Sequence, residues 1–127
     1  SLVVRTKNEE RWLARCLTAV RMQDCGEFEV LVVDNDSTDG TEAWILRRFE
    51  GRVRYFRQRN TLDGGGYNRG IAESNGDFIQ LLDGDDFIAP NKIERQMEVF
   101  DERPDAVLRP AADGANARRV VGPPGAK

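Results

Sequence analysis

The residues best equipped for chemistry in this sequence fall into three polar clusters. They are Thr6-Lys7-Asn8-Glu9, Asp34-Asn35-Asp36-Ser37-Thr38-Asp39-Gly40 and Asp83-Gly84-Asp85-Asp86. In the last, two carboxylates separated by one small residue can face a common cation, and Gly84 leaves room for a ligand to approach closely. Hard oxygen donors suit Mg2+ or Mn2+, which complete an octahedron with water and substrate phosphates. The same residues also suit a plain capping turn ahead of Pro90, because Asp favours the positive end of a helix. The middle cluster has a similar double reading. Thr38 and Asp39 are good N-caps, whereas Asp34 or Asn35 can hydrogen-bond a nucleobase edge, Asn offering both a donor and an acceptor.

Several chemistries are excluded. The chain has 127 residues and no His, which rules out His metal ligands, a Ser-His-Asp triad and any imidazole acid or base within it. Gly64-Gly65-Gly66 lacks the spacing of a dinucleotide fingerprint, and no Walker A lysine pattern occurs. That glycine run reads as a mobile loop or as one that touches a ligand. Cys16 and Cys25 make no disulfide framework, and Cys16 sits in an apolar pattern as a small buried thiol. A net charge of -3 supplies no global basic field for nucleic acid or an anionic membrane. Arg47, Arg48, Arg52, Arg54, Arg57 and Arg59 cluster locally, as a solvated helix face and edge strand or as an anion contact. No apolar run reaches the roughly 18 to 20 residues that span a bilayer. The chain starts without Met and enters a strand at once, so both ends read as fragment ends.

The elements that must position these clusters alternate. Leu2-Val3-Val4 predicts a buried strand. Trp12, Leu13, Cys16, Leu17 and Val20 then recur at helical spacing, with Asn8 as N-cap and an end near Gly26. Residues 28–33 read as a strand, 41–49 as a helix and 53–56 as a third strand. Residues 63–66 read as a flexible loop leading to a helix at about 67–74. Residues 78–82 form a fourth strand, and Pro90 opens a last helix with Ile93, Met97 and Phe100 on one face. Strict alternation argues for an α/β fold, a mostly parallel sheet flanked by helices, with ligands at the carboxyl ends of the strands. All three polar clusters gather at that edge. Val107-Leu108 could begin a further strand. The Ala-, Gly- and Pro-rich remainder reads as irregular tail or linker, which divides the chain at 1–108 and 109–127.

Five segments in register resemble family 2 glycosyltransferases across about residues 1–108. They are Leu2-Val3-Val4-Arg5-Thr6-Lys7-Asn8-Glu9-Glu10, Val32-Val33-Asp34-Asn35-Asp36-Ser37-Thr38-Asp39-Gly40-Thr41, Asn68-Arg69-Gly70-Ile71, Gly76-Asp77-Phe78-Ile79 and Leu82-Asp83-Gly84-Asp85-Asp86. The resemblance implies a GT-A (Rossmann-like) fold and inverting transfer from a nucleoside-diphosphate sugar to an acceptor hydroxyl. Carried over by position, it places Thr6 and Glu9 in the loop at the nucleoside and Asp34 and Asn35 at the base. Asn68 and Gly70 come near the donor. Asp83 and Asp85 fall at the Mn2+ or Mg2+ ion and the diphosphate, with Asp85 the direct ligand. This sequence departs from the family pattern at Arg5, often Pro, at Asn35, often Asp, and at Tyr67, commonly Arg. In the family the acceptor site and general base lie beyond this point, so the chain reads as the donor-binding part alone, its acceptor undefined. The resemblance implies work in the cytoplasm or at its membrane face, and an exposed sheet edge would favour a homodimer. A non-catalytic nucleotide-sugar module is the alternative. A receiver-like signalling domain, suggested by Leu31-Val32-Val33-Asp34, would need a phosphoacceptor Asp after the third strand, where Arg57-Gln58-Arg59 stands.

Overall fold

β-Branched residues dominate the two central strands, and their stiff side chains favour a pleated, buried backbone. A computed structural model describes residues 1–61, 65–103 and 120–121. The elements run β1 (Leu2–Thr6), α1 (Glu10–Arg21), β2 (Val30–Asp34), α2 (Thr41–Phe49), β3 (Arg54–Arg57), α3 (Gly65–Glu73), β4 (Ile79–Asp83), α4 (Lys92–Glu102) and β5 (Val120–Val121). The sheet order is β3-β2-β1-β4-β5. β1 to β4 are mutually parallel, as the alternation predicts, and β5 pairs antiparallel with β4. Val120–Val121 thus adds a strand inside the stretch 109–127 expected to be irregular, while Val107-Leu108 lies outside the described residues.

The pleat sends alternate side chains to opposite faces. Leu2, Val4, Val30 and Val32 pack with Leu13, Leu17 and Val20 of α1 and Ile45 and Phe49 of α2. Val3, Leu31 and Val33 face the other way, toward Tyr67 at the start of α3. Gly70 lets α3 approach closely, since a Cβ there would overlap the Val3 side chain. β1 has β2 on one side and β4 on the other, so the strand order reverses between β1 and β4. That reversal is where open α/β sheets form their ligand crevice.

Several boundaries differ from expectation, each for a physical reason. β2, β3 and β4 all run one residue further than their apolar stretches, because Asp34, Arg57 and Asp83 still pair across the ladder. α1 stops at Arg21 rather than near Gly26, closed by a Met22 N–H donating to Thr18 O at 3.1 Å. Asn8 is not its N-cap. Its backbone is left-handed, with φ 53, and its side chain serves another loop. Trp12 is 55% exposed and lies outside the core. Gly65 and Gly66, expected in the loop, form the first turn of α3. α4 begins at Lys92 rather than at Pro90, with Phe100 buried as expected and Ile93 packed at the margin of the core.

Candidate functional site

Three loops meet at the carboxyl ends of β1, β2 and β4. Asn8 stitches two of them together, its Oδ1 accepting from Thr38 N at 2.6 Å and Asp39 N at 3.3 Å. Beside it, buried Thr6 donates its hydroxyl to Glu9 Oε2 at 3.0 Å. The Glu9 carboxyl is held above the usual range, first by burial and then by Asp85 and Asp83, against the Thr6 hydrogen bond. Gly84 closes this corner. A Cβ there would collide with the Glu9 carboxylate and come within 2.9 Å of Thr6 Oγ1. Thr6 and Glu9 therefore lie against the turn that carries Asp83 and Asp85.

The two aspartates of the D-x-D pattern have different surroundings. Asp83 is the last residue of β4, opposite Arg5 in the β1 ladder. Arg5 Nη2 lies 2.8 Å from its Oδ1, and the Tyr67 hydroxyl donates to the same oxygen. The Arg5 guanidinium also stacks on the Tyr67 ring, 4.6 Å from its centroid. The Asp83 N–H donates to Asp86 Oδ2 at 3.0 Å, which closes the turn after β4; the expected helix cap is not formed here, since α4 begins only at Lys92 with Asn91 ahead of it. Below the turn, buried Cys16 donates its thiol to Asp83 O at 3.6 Å. Asp85 projects outward and is exposed. Among the described residues, no three Asp, Glu, Cys or His side chains are gathered to cage a metal. A divalent ion here would take one or two carboxylates and draw its remaining ligands from water and phosphate, which suits Mg2+ or Mn2+.

Asp34, expected at the base, is turned inward at the end of β2. It is fully buried, with Oδ1 accepting from Ser37 N at 2.7 Å and Oδ2 from the Tyr55 hydroxyl at 2.7 Å. Burial and this carboxylate both hold the Tyr55 phenol protonated well above its ordinary range. A buried carboxylate needs such partners, and these two shape the loop that follows β2. Asn35 follows it at the strand end, its side chain engaged with residues 58–61. Asn68 is exposed on α3, and Gly70 of the same helix packs on Val3. Arg5 and Tyr67 were absent from the expected site. Their one signal in the sequence was that both depart from the family pattern.

The chain matches the family model described as glycosyl transferase family 2 over residues 1–121. It belongs to that family. An uncharacterized glycosyltransferase of Nostoc sp. is 32% identical over 103 residues, covering 79% of this chain and 32% of that protein. The structure of Staphylococcus aureus TarS 1-349 in complex with UDP-GlcNAc superposes with a TM-score of 0.75 at 27% identity, over 91% of this chain and 35% of that one. A mannosyltransferase from Pyrobaculum calidifontis, in complex with GDP-Man and Mn2+, shares the fold with a TM-score of 0.71 at 21% identity, over 84% of this chain and 33% of that one. The GT-A fold is thereby established. The chain spans about a third or less of the curated relatives it matches, 32% of one and 17% of another. Among the described residues, no helix is long and apolar enough to cross a membrane.

Proposed function

We propose that this chain forms the donor-binding part of a glycosyltransferase that takes its sugar from a nucleoside diphosphate and inverts the anomeric centre. The observation that carries this reading is the convergence of Thr6, Glu9, Asp83 and Asp85 at the β1/β4 switch point, in a family 2 chain. Asp85, exposed on the turn, is the direct ligand for Mn2+ or Mg2+. Asp83, held by Arg5 and Tyr67, fixes the turn from which Asp85 projects. A bound divalent ion would stabilise the charge that develops on the leaving nucleoside diphosphate. Thr6 and Asn35 border the nucleoside, and Glu9 supports the turn through Thr6 and Gly84. Asn68 stands on the α3 side of the donor. The base that deprotonates the acceptor hydroxyl is assigned to no residue of this chain. TarS, solved with UDP-GlcNAc, supports a nucleotide-sugar donor. On this reading the protein works where such donors are found, in the cytoplasm or at the inner face of its membrane.

Calorimetric titration with UDP, dTDP and GDP, each with Mn2+ and with chelator, tests the reading. One nucleotide should saturate the chain only with metal. Asp85→Ala should weaken that binding at least tenfold, about the scale of one lost charged contact. Metal-independent binding, or unchanged affinity in Asp85→Ala, would overturn the assignment.

A further inference from the structure

α1 buries one face and exposes the other. Leu13, Cys16, Leu17 and Val20 belong to the core. The opposite stripe runs Arg11, Arg15, Thr18 and Met22, all exposed at helical spacing, with exposed Trp12 and Arg21 on its flanks. After Glu10 the helix holds no acidic residue. Among the described residues, no carboxylate pairs with Arg11, Arg15 or Arg21. The chain as a whole has a net charge of -3, so this is a local excess of cations against the general balance. A merely solvated helix face gains from mixing signs, because opposite charges four residues apart support the helix.

Large apolar side chains are interleaved with these arginines. Of the five exposed among the described residues, three lie on or against α1: Trp12 at 55%, Met22 at 59% and Phe87 at 61%. Phe87 follows Asp86 on the segment after β4, and the Arg15 guanidinium lies over its ring, 4.8 Å from the centroid. That contact joins helix and segment into one surface. A groove between them is lined by Ala14, Ala19, Met22, Ile88 and Pro90. Single exposed hydrophobic residues need no explanation, whereas a cluster of them marks an interaction site.

Unpaired cations beside aromatic and thioether side chains suit the boundary of an anionic bilayer. Arginine answers the lipid phosphates, and Trp and Phe settle at headgroup level. A second copy would instead set its own arginines against these. The core already uses the apolar side of α1, so the helix would lie on the bilayer and not enter it. We infer that the outer face of α1, with Phe87, docks this chain on anionic lipid headgroups. This deepens the membrane-face location proposed above and is independent of the donor chemistry, so vesicle binding and nucleotide titration can fail separately. Because Phe87 adjoins the Asp83–Asp86 turn, docking sets the proposed donor site beside the bilayer surface.

Sedimentation with phosphatidylcholine vesicles, with and without phosphatidylglycerol, tests the inference. Chelator is present, so that no ion bridges the acidic residues to lipid. The chain should partition only where phosphatidylglycerol is present, and salt should release it. Arg15→Gln should lower the partition coefficient about fivefold, and loss of Arg11, Arg15 and Arg21 together about a hundredfold, from the value of each basic residue near such a surface. Arg47→Gln with Arg48→Gln removes exposed cations from α2 and should change little. Trp12 emission should move to the blue on binding, with Trp12→Phe separating its share from that of Trp44. A parent chain that stays in solution beside phosphatidylglycerol vesicles overturns the inference. An equal loss from the α2 pair, or an unshifted Trp12, overturns it as well, since charge alone would then hold the chain. Self-association abolished by Phe87→Ser would give the face to a second copy and also overturn it.

Discussion

At the scale of single residues, Asp83 and Asp85, separated by Gly84, have unlike surroundings. Asp83 takes Arg5 at 2.8 Å and the Tyr67 hydroxyl on one oxygen, so its charge is largely answered by the protein itself. Asp85 is exposed on the same turn, where the proposed reading places the metal. Arg5 is accordingly a positioning residue, acting through Asp83. Gly66 agrees with this role, since a Cβ there would come within 2.8 Å of Arg5 Cγ. Arg5→Met should leave Asp83 without its cation and let the turn that carries Asp85 shift. We expect metal-dependent nucleotide binding to weaken about tenfold, the scale of a lost hydrogen bond to a charged group. Arg5→Lys, which keeps the charge but not the planar stack on Tyr67, should recover part of that loss. Titration with Mn2+ at fixed nucleotide reads the effect. Equal affinity in Arg5→Met and parent would show that Asp83 needs no counter-ion. The acidic residues of the site were legible in the sequence because carboxylates at strand ends imply a small set of chemistries. Arg5 and Tyr67 were not, since their partnership spans β1, α3 and β4 and no local pattern announces it.

At the scale of elements, the alternation of strands and helices was legible throughout, because apolar periodicity reports burial directly. Strand ends were less so. Asp34 and Asp83 look like loop residues by polarity, yet each pairs in the ladder, opposite Thr6 and Arg5, and polarity does not report backbone pairing. Asn8 was misread for a similar reason. Its hydrogen-bonding partners are Thr38 and Asp39, thirty or so positions away in sequence, whereas capping rules look only a few residues ahead. Gly70 shows an element-level constraint of a different kind. α3 lies against β1 so closely that a Cβ at this position would overlap Val3 Cγ1 and come within 3.1 Å of Val3 Cγ2. Gly70→Ala should therefore destabilise the fold by about 1–3 kcal/mol, the usual cost of overpacking, despite the better helix propensity of Ala. Thermal unfolding measures it. Val3→Ala combined with Gly70→Ala should cost less than the sum of the two single changes, because the smaller side chain makes room. Strict additivity would mean that α3 shifts away from the sheet instead.

At the scale of the whole molecule, the question is how the sheet ends. β3 is the outermost strand on one side, and an outermost strand offers unpaired backbone groups to any neighbour. Exposure of such an edge is what suggested a homodimer from sequence. The structure shows how that edge is guarded. Arg54 pairs with Glu29 at 2.9 Å and reaches Glu73 at 3.8 Å, while Arg57 pairs with Glu42 and lies 3.5 Å from Asp36. Arg54 and Arg69 also stack against Phe56, at 5.4 Å and 5.2 Å from the ring centroid. Two charged, well-solvated side chains on a four-residue strand make edge-to-edge pairing costly, since a partner strand would have to strip water from both. The arginines read from sequence as an edge strand thus protect the edge. Replacing both, Arg54→Thr with Arg57→Thr, keeps β propensity and removes the charge. The double variant should self-associate at concentrations where the parent chain does not, and added salt should promote association of the parent by screening the same arginines. Light scattering across a concentration series reads both effects. If the double variant stays in the parent's state, the edge is covered by something other than its charges.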